Sequence, residues 1–278
     1  MLRQLLRLVV ASLAAHVLAA EPGALPEVGF AVIKTSQVAV RQALLVPGGE
    51  LGKRLNSNFS AFLIKHRNDY LLFDTGLGKQ IDTQYRDSMP LWWRPFFSYE
   101  QPVISAREQL DAAGMPPPKR VILSHSHWDH ASGVPDFPEA QIAVAEAEQV
   151  RLRDPSTGPG GTWAAQVGAT AIQWEALNFQ PVPYRGYPES LDIYQDGSVV
   201  LVPMPGHTPG SVGLFVSTDS AKVYFLIGDV AWTVAALKQG QPKFWVASKL
   251  VDGDAKQTQS ALEKVQALMQ ADPALQVV

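Results

Sequence analysis

The chain of 278 residues contains no cysteine. That excludes disulfides, an amino terminus lipidated through cysteine, and thiolate as a nucleophile or metal ligand. Charge is sparse: Asp, Glu, Lys and Arg make up 18% of the chain, and the formal net charge is −3 at pH 7, so nucleic acid finds no basic footprint. No internal repeat or low-complexity tract is visible. No apolar run reaches the ~20 residues that a spanning helix needs. What is present in quantity is apolar side chain, 46% of the sequence, enough for a well-buried globular protein of one large or two small domains.

The amino terminus stands apart. Arg3 and Arg7 form a positive start, and Leu8 to Ala20 is apolar except for Ser12 and His16. Val17-Leu18-Ala19-Ala20 then offers small residues for cleavage before Glu21. Residues 1–20 are therefore expected to be a secretory signal peptide, directing export to a bacterial periplasm or beyond, with no stable membrane insertion after cleavage. The working domain is expected over residues 21–278.

Patterning along that domain alternates strands and helices. Phe30 to Ile33 and Gln37 to Val46 read as strands, with Pro47-Gly48-Gly49 as a turn. Phe59 to Lys65 and Tyr70 to Phe73 read as a hairpin that places His66 at a solvated tip. Val103 to Ala113 has helical spacing and stops at Gly114 and Pro116. Gln141 to Ala145 reads as a strand, Glu146 to Arg153 as a short helix and Trp163 to Leu177 as helical. Strands follow over Val199 to Val202, Val212 to Val216 and Val223 to Ile227, then an amphipathic helix over Asp254 to Met269 and a last strand from Leu275. The segment around Trp92, Trp93, Phe96, Phe97 and Tyr99 reads as a local mini-core, with an apolar lip over a site or a subunit contact as alternatives.

Chemistry concentrates in one stretch. Of six histidines, three fall in Ser124-His125-Ser126-His127-Trp128-Asp129-His130, directly after Val121-Ile122-Leu123. In an extended segment alternate side chains share a face, so His125 and His127 can grip one metal ion. A turn after Trp128 would aim Asp129 and His130 at a second. Imidazole and carboxylate without sulfur suit zinc, or iron, manganese or cobalt. His207 follows the strand from Val199 to Met204, and Asp229 follows Val223 to Ile227, so each candidate ligand sits just beyond an apolar strand, where sites are built on rigid scaffolds.

His-x-His-x-Asp-His after a buried strand resembles the signature of the metallo-β-lactamase-fold hydrolases. Phe73-Asp74-Thr75-Gly76, Pro205-Gly206-His207-Thr208-Pro209-Gly210-Ser211 and Ile227-Gly228-Asp229 resemble further marks of that family, in the family's order. The resemblance implies an α/β fold, a four-layered αβ/βα sandwich with a dinuclear site at one edge of two sheets. It implies His125, His127 and His207 on the first metal, Asp129 and His130 on the second, and Asp229 bridging. Two divalent ions, zinc by expectation, would share a hydroxide that attacks a carbonyl, with Asp129 orienting it as the catalytic carboxylate. Asp74 would fix a ligand histidine from behind or cap its own turn.

Within the superfamily the chain resembles most the N-acyl-homoserine-lactone lactonases, which implies a small-molecule lactone substrate. Trp232 stands where those enzymes often carry a tyrosine, three residues after the bridging aspartate. Thioesterase, aryl-ester and phosphotriester hydrolysis are the alternatives within the fold. A mononuclear iron oxidoreductase and a non-catalytic metal-binding protein are the alternatives outside hydrolysis. A homodimer stays open. The family also places a final histidine beyond a late strand; Asp272 to Val278 looks like the start of that strand, so a carboxyl-truncated chain with a weaker second site is expected.

Overall fold

The computed structural model describes residues 27–278. The leader expected over residues 1–20 lies outside the described residues. Among the described residues eleven strands form two sheets. The first takes β1 (Val28–Arg41), β2 (Arg54–His66), β3 (Asp69–Phe73), β4 (Arg120–Ile122), β5 (Gln141–Ala145) and β6 (Gln173–Leu177), side by side in that order. Its β1–β2–β3 half is antiparallel and its β3–β4–β5–β6 half parallel. The second takes β7 (Leu191–Asp192), β8 (Val199–Pro203), β9 (Val212–Ser217), β10 (Val223–Leu226) and β11 (Gln276–Val277); only its β10–β11 pair is parallel.

Helices flank both sheets: α1 (Gln42–Leu45), α2 (Ile81–Ser88), α3 (Ala106–Ala112), α4 (Trp128–Ala131), α5 (Glu146–Arg153), α6 (Ala164–Val167), α7 (Val234–Lys238), α8 (Trp245–Val251) and α9 (Ala255–Ala271). Among the described residues no helix is long and apolar enough to cross a membrane.

The strand sequences explain the layering. Successive side chains point to opposite faces, so a strand covered on both faces must be apolar throughout. In β4 and its continuation, Val121 and Leu123 pack with Ala106 and Leu110 of α3, while Ile122 points the other way. Ile122 meets Ile64, Leu71 and Phe73 on its own sheet and Leu201, Leu214 and Leu226 on the second, which forms the middle of the molecule. The far face of the second sheet, with Val202, Phe215 and Phe225, packs against Leu237 of α7 and Leu262 and Val265 of α9. The layers run helix, sheet, sheet, helix, the αβ/βα sandwich that the family resemblance implies.

Four local expectations are corrected. The two strands expected over Phe30–Ile33 and Gln37–Val46 are one strand, β1, continuous through an irregularity between Lys34 and Ser36, and residues 42–45 are helical. The helix expected from Val103 begins at Ala106, where Ser105 and Glu108 close a reciprocal capping box. The helix expected over Trp163–Leu177 is only the short α6, ending at Gly168, after which β6 adds to the open edge of β5. Edge pairing outweighs the helical pattern there. His66 is not a solvated turn residue: it is buried, its Nε2 lies 2.7 Å from Asp196 Oδ2, and its ring stacks on Tyr194 at 3.7 Å.

Candidate metal centre

Three strand ends deliver the candidate residues. Ser124 and His125 leave β4, His127 occupies the amino-terminal cap of α4, and α4 itself carries Asp129 and His130. His207 follows β8, in a turn where Gly206 at φ +143° packs so closely on Gln257 and Thr258 that a Cβ would run into their backbone. Asp229 sits after β10 in a tight turn entered through Gly228 at φ +53°.

All six candidates converge. His207 Nε2 lies 2.9 Å from His127 Nδ1 and 3.1 Å from His125 Nε2. A second grouping joins His125, His130 and Asp229. Asp229 reaches both groupings: Oδ1 is 3.1 Å from His130 Nε2 and Oδ2 is 3.5 Å from His207 Nε2. Asp129 stands at the rim, its Oδ2 3.9 Å from His130 Nε2.

Hydrogen bonds behind the imidazoles fix which nitrogen faces inward. Asp74, at φ +56°, accepts the Ser124 N–H at 2.7 Å with Oδ1 and the His130 Nδ1–H at 2.9 Å with Oδ2. The carboxylate therefore orients a histidine of the cluster, the first of the two roles expected for it. The Ser124 hydroxyl donates to Asp74 at 2.8 Å and accepts from His125 Nδ1 at 2.9 Å. Asp252 Oδ1 accepts from His207 Nδ1 at 2.7 Å. His125 and His207 thus turn Nε2 lone pairs toward one another, whereas His130 turns its Nε2 to Asp229 Oδ1. Such partners behind a ligand histidine set its tautomer and raise its basicity.

Electrostatics sort the groups further. Burial, helped by the neighbouring imidazoles, holds His125 and His127 well below the usual histidine range. Burial and the Lys243 ammonium also lower His207. At His130 burial works the same way, but Asp74, Asp229 and Asp129 outweigh it and carry the pKa well above its ordinary value. Burial raises Asp229 too, yet His130, His207 and His125 draw it well below the carboxylate range. Asp129, raised by burial and then by the Asp229 charge despite His130, is pushed up to about 6. The three imidazoles of His125, His127 and His207, lowered and converging at contact distance, with the Asp229 carboxylate between them and His130, are a donor set for a borderline divalent cation. The residues present fit such an ion.

The sequence did not single out Glu148, Lys243 or Asp252. Glu148 is 0% exposed and accepts from Ser126 N at 2.9 Å, Ser126 Oγ at 2.5 Å, Thr208 Oγ1 at 2.6 Å and Gly210 N at 3.2 Å. It ties the His125–His127 loop to the His207 loop. The spacing to Thr208 and Gly210 spans some sixty positions, so nothing local announces it.

All of the cluster but His125 lines a cavity of about 640 Å³. Its walls are largely apolar, with Val38, Phe59, Trp93, Phe97, Trp232 and Phe244 prominent. The aromatic segment after α2 serves two expected roles at once. Trp93 and Phe97 pack with Trp128 and Trp163, and they also line the cavity beside Phe96. Trp92 and Phe96 are 70% and 56% exposed, as in a lip. The Trp232 indole N–H donates to Asp229 Oδ2 at 2.9 Å.

A sandwich of two sheets with histidines and an aspartate at the ends of its strands defines a class. A model of the metallo-beta-lactamase superfamily matches residues 59–278, and the chain belongs to that superfamily. The N-acyl homoserine lactonase AttM of Rhizobium radiobacter is 28% identical over 180 residues, 62% of this chain and 65% of that relative. The chain thus spans 65% of the length of this curated relative. A variant of AiiA from B. thuringiensis, solved with N-decanoyl-L-homoserine at its active site, shares the fold. It has a TM-score of 0.66 at 18% identity, over 91% of this chain and 92% of that one. AidC, a dizinc quorum-quenching lactonase solved with a homoserine product, gives a TM-score of 0.62 at 16% identity, over 91% of this chain and 87% of that one.

Proposed function

We propose that the protein is a metal-dependent hydrolase that opens an ester-like bond, most characteristically a lactone carrying an apolar acyl group. The observation that carries this is the convergence of His125, His127, His207, His130 and Asp229, with all but His125 lining a largely apolar cavity. His125, His127 and His207 would hold the first divalent ion, Asp129 and His130 the second, and Asp229 would bridge; zinc suits the set. When bound, two such ions supply Lewis acidity, acidifying water and polarising a carbonyl. The chain's own residues do the rest. Asp229 presents one oxygen to each side of the site, and its Oδ2 is held by Trp232. Asp129, only loosely paired with His130, has a carboxylate free to accept a proton from the attacking water and orient it. The apolar walls exclude solvent and hold an acyl chain, at about 0.8 kcal/mol per buried methylene.

The relatives that are lactonases support the lactone over other esters, and the exported leader read over residues 1–20 would put this activity outside the cytoplasm. The test is turnover of acyl lactones, thioesters, aryl esters and phosphotriesters before and after chelation. Lactone opening abolished by a chelator and restored by zinc, cobalt or manganese is the expected result. Chelator-insensitive turnover would remove the mechanism, and turnover of thioesters alone would move the substrate while leaving the site.

A further inference from the structure

Lys243 belongs to no ligand set, yet it is only 4% exposed and lies directly behind one. Its ammonium donates to Asp252 Oδ1 at 2.6 Å and stands 3.2 Å from His207 Nδ1. It also sits 5.6 Å from the centre of the Trp232 ring, whose indole N–H holds Asp229. Asp252 is equally enclosed: its Oδ1 takes His207 Nδ1–H and the ammonium, and its Oδ2 takes the Ser248 hydroxyl at 2.5 Å. A buried ion pair of this kind is a poor source of stability, because neutral residues of similar volume often serve as well. Its position suggests another role. A lone carboxylate behind a ligand histidine makes the imidazole a stronger donor and tightens the metal. An ammonium on the same oxygen works in the opposite sense, and it also repels a dication through a medium of low dielectric.

We propose that Lys243 tunes the first-metal site, its buried ammonium cancelling the carboxylate charge that Asp252 sets behind His207. His207 would then donate as an ordinary neutral imidazole, and an ion held there would keep more of its Lewis acidity. This inference rests on the metal-centre reading above. A simple structural tie would make the same contacts, so the two roles are separated by the sign of an effect: a tie loses metal affinity when cut, whereas a charge canceller gains it.

The experiment measures zinc affinity of the metal-depleted full chain by competition with a chromophoric chelator, at one pH and low salt. Lys243→Met should bind the tighter zinc about tenfold more strongly, and Asp252→Asn about tenfold or more weakly. The double variant Lys243→Met/Asp252→Asn, which removes both charges, should return to within about threefold of the parent. Thermal unfolding checks that each variant is folded. A folded Lys243→Met with equal or weaker affinity overturns the proposal. If that variant does not fold, the double variant decides: a loss as large as that of Asp252→Asn alone overturns it too. A parent chain that takes up no zinc would refute the metal centre itself, a distinct failure.

Discussion

Glu148 supplies no proposed ligand atom, yet its removal should loosen two of the loops that carry them. Its carboxylate is the shared acceptor for Ser126 and for Thr208 and Gly210, so it fastens the loops of His127 and His207 to α5. In Glu148→Ala the two hydroxyls have other partners, Ser126 with Thr162 at 2.6 Å and Thr208 with Ser211 at 2.9 Å. The buried N–H groups of Ser126 and Gly210 have no other partner among the described residues. Each orphaned buried donor costs about 1–3 kcal/mol, so the change should cost about 4 kcal/mol. For a domain of this size that is a fall in Tm of roughly 8–16 °C. Zinc affinity should fall as well, by about 10–100-fold, as when other residues that orient ligands are removed. Glu148→Gln keeps the volume but turns an amide NH2 toward one pair of donors, and should lose about half as much stability. Calorimetry of the metal-depleted variants and chelator competition measure the two effects. A Tm within about 3 °C of the parent, with parental zinc affinity, would refute the clamp.

Four further outcomes are expected. Asp229→Ala should empty both metal positions, because its two oxygens face different histidines, whereas His130→Ala should preferentially empty the second; equal loss of about one metal in both variants would argue against bridging. Trp232→Phe removes the N–H that holds Asp229 Oδ2, and should weaken metal binding by a few-fold and alter KM; metal analysis and steady-state kinetics check this. Proton release should differ between the sites. His130, raised by its carboxylates, is protonated at neutral pH before an ion arrives, so filling the second site should release about one proton and weaken as pH falls. His125, His127 and His207 are lowered by burial and already neutral, so filling the first site near pH 7 should release about none; calorimetry in buffers of different ionisation enthalpy counts the protons. Finally, zinc at 100 times its dissociation constant should stabilise the chain by about 2.7 kcal/mol, and a Tm indifferent to zinc would speak against a native-state site.

The buried strands and the cluster were legible for the same reason, whereas the four layers came only from the resemblance to the family. Strands such as Val121–Leu123 and Val212–Val216 lie between two covered faces, so their apolar runs stand out, and the candidate ligands follow them directly. Asp74 was visible because Asp-Thr-Gly marks a turn at a strand end. The groups behind the cluster were not visible. Glu148 lies in a helix rich in charge, and Lys243 and Asp252 flank α8, so each has the local sequence of a solvated residue. Only the tertiary approach of His207 and Ser126 buries them. His66 and the segment from Trp163 to Leu177 failed likewise: the stacking of Tyr194 and the open edge of β5 decide those environments, and neither partner is near in sequence.

The central expectation is a metal held between His125, His127 and His207. Crystals grown with excess zinc, measured at the zinc absorption edge, test that directly. The expected result is a strong anomalous peak about 2.0–2.1 Å from a nitrogen of each of those histidines, with a second peak shared by His130, Asp129 and Asp229. No anomalous density between the three imidazoles, with zinc bound elsewhere or not at all, would contradict it.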